Sequence, residues 1–176
     1  MNNKKTLTDK RKSPFLAFTL FFSAFILAAA SAYGFSTYQK KQAERSNQSQ
    51  LEQIHKQQTL LLKQPDVIDT NWLRTLNPLI EHVQGRLLWS SKQQIGLVLF
   101  DDLPSLKDNQ KYHLYVYDLE GKNKTPISAA EFKPSSSGQF EKVFKPEVLI
   151  HKPLKFELIL EEEGVELGTP LLLAQP

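Results

Sequence analysis

The sequence contains no cysteine. Disulfides, thiolate zinc sites and cysteine nucleophiles are therefore excluded together, and no compartment is implied. Also missing are the G-x-S-x-G, H-E-x-x-H, P-loop and G-x-G-x-x-G patterns, which would place a nucleophile, a zinc pair or a phosphate-binding turn. The four histidines, His55, His82, His113 and His151, show no metal-ligand spacing. Glu161-Glu162-Glu163 lacks the alternating oxygen ligands of a calcium loop and reads as a hairpin rim. Asp101-Asp102, beside Leu103-Pro104, reads as a solvated loop. Catalysis needs a nucleophile, a base and a stabilising group held together. The expectation is a protein with no catalytic, cofactor-binding or metal-binding residues.

Charge is absent from residues 15–35, FLAFTLFFSAFILAAASAYGF. At about 1.5 Å per helical residue, this run reaches roughly 31 Å, enough to cross a hydrocarbon core. Pro14 stands at its start, where a missing N–H costs least. Lys4, Lys5, Lys10, Arg11 and Lys12 precede the run, against Asp9 alone, while Lys40, Lys41 and Arg45 follow it closely. The positive-inside bias predicts a cytoplasmic N-terminus and an extracytoplasmic C-terminal region. Residues 1–13 read as a basic cytoplasmic tail, 14–38 as a transmembrane helix, and the location as the bacterial inner membrane, crossed once. A signal peptide cleaved after Ala32 is the alternative, because Ala30-Ser31-Ala32 fits the A-x-A pattern.

The basic pI belongs to the N-terminal third. Residues 65–176 hold 12 basic and 16 acidic side chains, so the folded part offers no basic surface for nucleic acid. Residues 39–65 are rich in Gln and Lys, with neither Gly nor Pro before Pro65, and predict a helical stalk. Leu51, Ile54, Leu61 and Leu62 fall near a/d spacing, but Gln58 interrupts the seam. A solvated helix is the simpler reading; weak self-association through the stalk is the sharper one.

From residue 66 the pattern changes. The runs at 83–91, 94–100, 111–118, 126–132, 139–144, 153–161 and 169–174 are short and rich in β-branched and aromatic residues, with turn signals between them. They predict a mainly β domain over 66–176, an antiparallel, immunoglobulin-like (Ig-like) β-sandwich. In PLKFELILE, Leu154, Phe156, Leu158 and Leu160 predict a buried face, and Lys155, Glu157 and Glu161 a wet one. Residues 66–82 fit either a partly helical segment or an extended lead-in with a turn at Asn77-Pro78. Trp72 and Trp89 are expected in the core. In KYHLYVYD, Tyr112, Leu114 and Val116 point one way, and His113, Tyr115 and Tyr117 the other. A central strand is expected, its second face covered by the stalk, by the segment before residue 83, or by a partner. His113, Tyr115 and Tyr117 are thus the candidate partner or ligand surface, with His113 held as a hydrogen-bonded structural residue.

The order of these motifs resembles the C-terminal extracytoplasmic domain of anti-sigma-K-type factors. The residues that carry the likeness are Gly85 with Trp89, Asp102-Leu103-Pro104, Tyr112-His113-Leu114-Tyr115, Ser128-Ala129-Ala130-Glu131-Phe132, Gly138, and Glu163-Gly164 with Thr169-Pro170 and Leu171 to Leu173. Tyr115 stands where that family often has Trp, and Ala130 where it often has Gly. The resemblance implies an exported sandwich tethered to the membrane. The family's cytoplasmic sigma-binding helical domain, often zinc-associated, has no counterpart in the thirteen residues before the apolar run, which cannot bury a core. The expected role is a non-catalytic regulatory or protein-interaction module, with an envelope or regulatory protein as partner. The alternatives are a structural envelope or division scaffold, and a small-ligand-binding sandwich using the tyrosine face.

Overall fold

The computed structural model describes residues 38–39, 41–42, 45–46, 48–121 and 125–176. The apolar run at 15–35, and with it the expected membrane helix and its alternative cleavage site, lies outside the described residues. Among the described residues no helix is long and apolar enough to cross a membrane. The chain divides into two compact units, Met1–Gln50 and Leu51–Pro176.

The unit Leu51–Pro176 is mainly β. Its strands are β1 (Val67–Asn71), β2 (Leu73–Arg74), β3 (Gln84–Ser90), β4 (Ile95–Leu103), β5 (Gln110–Asp118), β6 (Ile127–Phe132), β7 (Gly138–Phe144), β8 (Pro153–Glu162) and β9 (Thr169–Ala174). All seven strand runs expected after residue 83 form. They make two antiparallel sheets: sheet A in the order β1-β3-β4-β7, and sheet B in the order β2-β9-β8-β5-β6.

One hydrophobic core joins the two sheets. Leu87 and Trp89 of β3, Val98 and Phe100 of β4, and Phe144 of β7 come from sheet A. Tyr112, Leu114 and Val116 of β5, Phe156 and Leu158 of β8, and Leu172 of β9 come from sheet B. Their spacing of two residues is the pleat period, which turns alternate side chains to one face. Each such large apolar side chain contributes about 1.5–3 kcal/mol by leaving water. Trp89 stacks on Phe144 with ring centroids 5.8 Å apart. The same Phe144 ring covers Gly96, where a Cβ would stand 2.1 Å from ring carbon Cζ. Glycine at 96 is what lets that ring lie flat on β4.

The ambiguous stretch 66–82 is the extended lead-in. β1 belongs to sheet A and β2 to sheet B, so the chain changes sheet at Trp72. The indole, 7% exposed, drops into the core at this crossing and stacks on Phe100 at 5.4 Å. A 3-10 turn, Pro78–Ile80, follows. Pro78 needs no N–H partner there, and the Asn77 side chain accepts from Leu79 N at 2.9 Å.

Two local expectations change. Asp101 and Asp102 are exposed, as a solvated pair should be, but they lie inside β4 rather than in a loop. The register shifts between Phe100 and Leu103, with Asp102 at φ 56°. Such a bulge tolerates Asp because its short side chain fits the left-handed region. On β8, Leu154 is exposed because it lies at the strand's end, whereas Lys155, Glu157 and Glu161 are half-buried. The face expected to be wet is covered by side chains from β5.

In the unit Leu51–Pro176 the helix covers residues 51–62 and stops before 63–65, the last three residues of the expected stalk. Within 51–62 the helix is not solvated all round. Leu61 is buried, and Ile54 packs with it against Leu88 and Leu97, on the face of sheet A away from the core. Ile54, Gln57, Gln58 and Leu61 form the covered stripe, at the i, i+3, i+4, i+7 spacing of one helix face. Leu51, His55 and Leu62 are exposed.

Candidate binding face on the five-stranded sheet

β5 lies between β6 and β8, so the residues on its outer face meet side chains from both neighbours. His113 stands opposite Glu131 of β6 and Ile159 of β8; Tyr115 opposite Ser128 and Glu157; Tyr117 opposite Lys155. The expected alternation holds. Tyr112, Leu114 and Val116 are fully buried toward the core, and His113, Tyr115 and Tyr117 share the other face.

The covering of that face comes from its own sheet. His113 is only 6% exposed. Its Nδ1 lies 2.8 Å from Glu161 Oε1, and its Nε2 lies 2.7 Å from Ser128 Oγ. The Tyr115 ring stacks on the imidazole at 3.9 Å, and its hydroxyl donates to the same Glu161 Oε1 at 2.8 Å. Lys111 Nζ reaches Glu131 Oε2 at 2.8 Å and Glu161 Oε2 at 3.4 Å. Lys155 Nζ sits 3.9 Å above the Tyr117 ring and 3.4 Å from Glu157 Oε2. The stalk helix, one of the expected covers, lies instead on sheet A.

The electrostatics follow from this arrangement. Burial raises the Glu161 carboxyl, but hydrogen bonds from Tyr115, His113 and Lys111 outweigh it, and the net pKa is lowered. Burial, then the bond to Glu161, pushes the Tyr115 phenol up to about 12. Burial also raises Tyr117, helped by its bond to Glu157. The bond to Glu131 raises Lys111. Glu161 thus stays a carboxylate and Tyr115 a neutral donor near neutral pH.

Two clefts flank the face. One of about 870 Å³ runs beside β6 toward the 145–151 segment, past Asp118, Ser128 and Leu149. The other, about 610 Å³, opens at the far end of β5 and β8. It is lined by five carboxylates, Asp108, Glu161, Glu162, Glu163 and Glu166, against Lys111 and Lys133. Neither cleft is lined by Tyr115 or Tyr117. Tyrosine hydroxyls in a concave site would mark a ligand platform; here Tyr115 turns its hydroxyl to Glu161 instead.

The sequence singled out His113, Tyr115 and Tyr117, which the structure brings onto one face. It missed their partners. Ser128, Glu131 and Glu161 lie on other strands, and Glu161 is 48 residues away in sequence. A pairing of β5 with β8 would have identified them; periodicity within one strand could not.

Comparison with family models, with curated proteins and with solved structures finds no match for this chain.

Proposed function

We propose that the chain is a single-pass protein of the bacterial inner membrane. Its exported, Ig-like β-sandwich would serve as a non-catalytic regulatory or protein-interaction module, similar to the outer domain of anti-sigma-K-type factors. The observation that carries this reading is the order of the motifs. Gly85 with Trp89, Leu103-Pro104, the Tyr112 strand, Ser128 to Phe132, Gly138 and the Glu163-Gly164 turn follow one another along β3 to β9 of one two-sheet unit. The uncharged 21-residue run with its basic N-terminal flank supports the anchor and its orientation. The polar side chains around His113 bond mainly to each other, which suits a stable recognition face better than a reactive centre.

The scaffold alternative needs the stalk seam for another chain. Ile54 and Leu61, the central seam positions, pack against sheet A instead. The tyrosine-platform alternative needs free hydroxyls, and that of Tyr115 is engaged.

Photo-crosslinking from Tyr117 in intact cells, with identification of the captured protein, tests the role. An envelope or regulatory protein is expected. Capture of nothing beyond abundant bystanders counts against it. Protease added to sealed spheroplasts tests the orientation: residues 66–176 should be digested while cytoplasmic markers survive.

A further inference from the structure

The outer face of sheet B holds a donor set that comes from three strands. One nitrogen of His113 and one oxygen each of Glu131 and Glu161 lie within 4.8 Å of one another. His113 Nδ1 is 2.8 Å from Glu161 Oε1 and 3.7 Å from Glu131 Oε1. A tetrahedral zinc ion with bonds of about 2.0–2.2 Å sets its donor atoms roughly 3.4 Å apart. The two separations from His113 bracket that value. The Glu131 side chain is 49% exposed, which leaves it room to turn toward an ion.

His113 is already placed for this role. It is buried and stacked on Tyr115, and Ser128 Oγ lies 2.7 Å from Nε2. A metal would take the place of the Nδ1 proton that Glu161 accepts; with a proton on Nε2 alone, donated to Ser128 Oγ, Nδ1 offers the ion its lone pair. Metal-bound histidines are oriented by this kind of partner on the second nitrogen. The Tyr115 hydroxyl holds Glu161 by Oε1, so the carboxylate is fixed as well.

A positive charge already rests between the same carboxylates. Lys111 Nζ bridges Glu131 Oε2 and Glu161 Oε2. Its side chain is 43% exposed, so it can swing into solvent. The acidic cleft of about 610 Å³ meets the cluster at Lys111 and Glu161, and its excess of carboxylates draws cations toward it.

We propose that His113, Glu131 and Glu161 form a binding site for a divalent transition-metal ion of the zinc class, and that Lys111 is the tethered cation the metal displaces. Mixed nitrogen and oxygen donors suit such ions better than calcium or magnesium. Three protein donors leave a fourth position open to water on the cleft side. The site does not depend on the envelope role proposed above.

The test is calorimetric titration of the full chain, stripped of metal and purified in mild detergent, with zinc chloride. One ion per chain is expected, with a Kd on the order of micromolar. Glu131→Gln and His113→Gln should each weaken binding roughly tenfold or more. Lys111→Met should tighten it by about tenfold, because the competing charge is gone. Substituting exposed His55, His82 and His151 together should leave the Kd unchanged. Should His113→Gln fail to fold, as circular dichroism would reveal, Glu131→Gln and Lys111→Met decide the matter. No binding, binding indifferent to Glu131→Gln, or a Lys111→Met variant that binds no tighter would each overturn the proposal.

Discussion

Gln94 and Ile150 are joined by two hydrogen bonds. Gln94 Nε2 donates to the Ile150 carbonyl at 2.7 Å, and Gln94 Oε1 accepts from the Ile150 N–H at 2.9 Å. The amide side chain acts as a one-residue strand, tying the β3–β4 turn of sheet A to the connection that carries the chain from β7 to β8. Gln94 holds φ 53° to do so. Ile150 is fully buried, so both of its backbone groups need a partner.

Gln94→Ala leaves those two groups unpaired. A loss of about 1–3 kcal/mol is expected. Gln94→Glu should also destabilise, because a carboxylate offers the Ile150 carbonyl no donor. Urea unfolding followed by tryptophan fluorescence measures both. A midpoint unchanged in Gln94→Ala would contradict the bridging role.

Asp118 works in the same way at the end of β5. Its carboxylate accepts from His151 N and Lys152 N at 2.8 Å each, and from Glu120 N at 3.2 Å. Burial raises its pKa, and these three N–H groups more than reverse that. Asp118→Ala should cost roughly 2–4 kcal/mol, since several N–H groups lose one acceptor. Asp118→Asn keeps the shape but not the charge and should cost less. Thermal melts of the two variants should rank in that order; equal values would argue that charge contributes nothing.

Leu61 is the buried contact of the stalk helix with sheet A. Leu61→Ala should release residues 51–62 locally, at a cost of about 2–4 kcal/mol. Hydrogen exchange read by mass spectrometry should show protection lost in 51–62 and kept in β5 and β8. Equal loss throughout the domain would mean that the helix is part of the cooperative core and not a layer added to it.

Stability should fall at both ends of the pH scale. Glu161 has a lowered folded-state pKa, so its contribution is present above its ordinary 4.5 and is lost as the pH falls through the lowered value. Asp66 and Asp118 act alike from 3.8 downward. Tyr115 is raised from 10.0 to about 12. Its contribution is therefore complete below pH 10 and is lost as the pH rises through 12. Tyr112 is raised to a similar value by burial, so Tyr115→Phe should flatten the alkaline loss without abolishing it. Urea midpoints between pH 9 and 12 provide the check, and an identical slope in wild type and Tyr115→Phe would refute the assignment.

The strands could be read from the residues alone because alternation is a local property. Leu158 and Phe156 declare their shared face through a spacing of two, whatever they pack against. The same holds for the split of β5 into Tyr112, Leu114 and Val116 on one side and His113, Tyr115 and Tyr117 on the other. Nothing local reveals that the chain changes sheet at Trp72, since β1 and β2 are separated by that one residue. Nor could Ile54 and Leu61 show by their spacing whether a second helix or sheet A would cover them, because either satisfies the same apolar stripe.

The sequence by itself determined the seven strand runs after residue 83, the two faces of β5, and where the uncharged run lies. Tertiary structure alone decided which strands are neighbours. Charges and hydrogen bonds act over a few ångströms in space, so the partners of His113 were set by the placing of β6 and β8 beside β5. That placement is why Lys111, Glu131 and Glu161 meet around one imidazole.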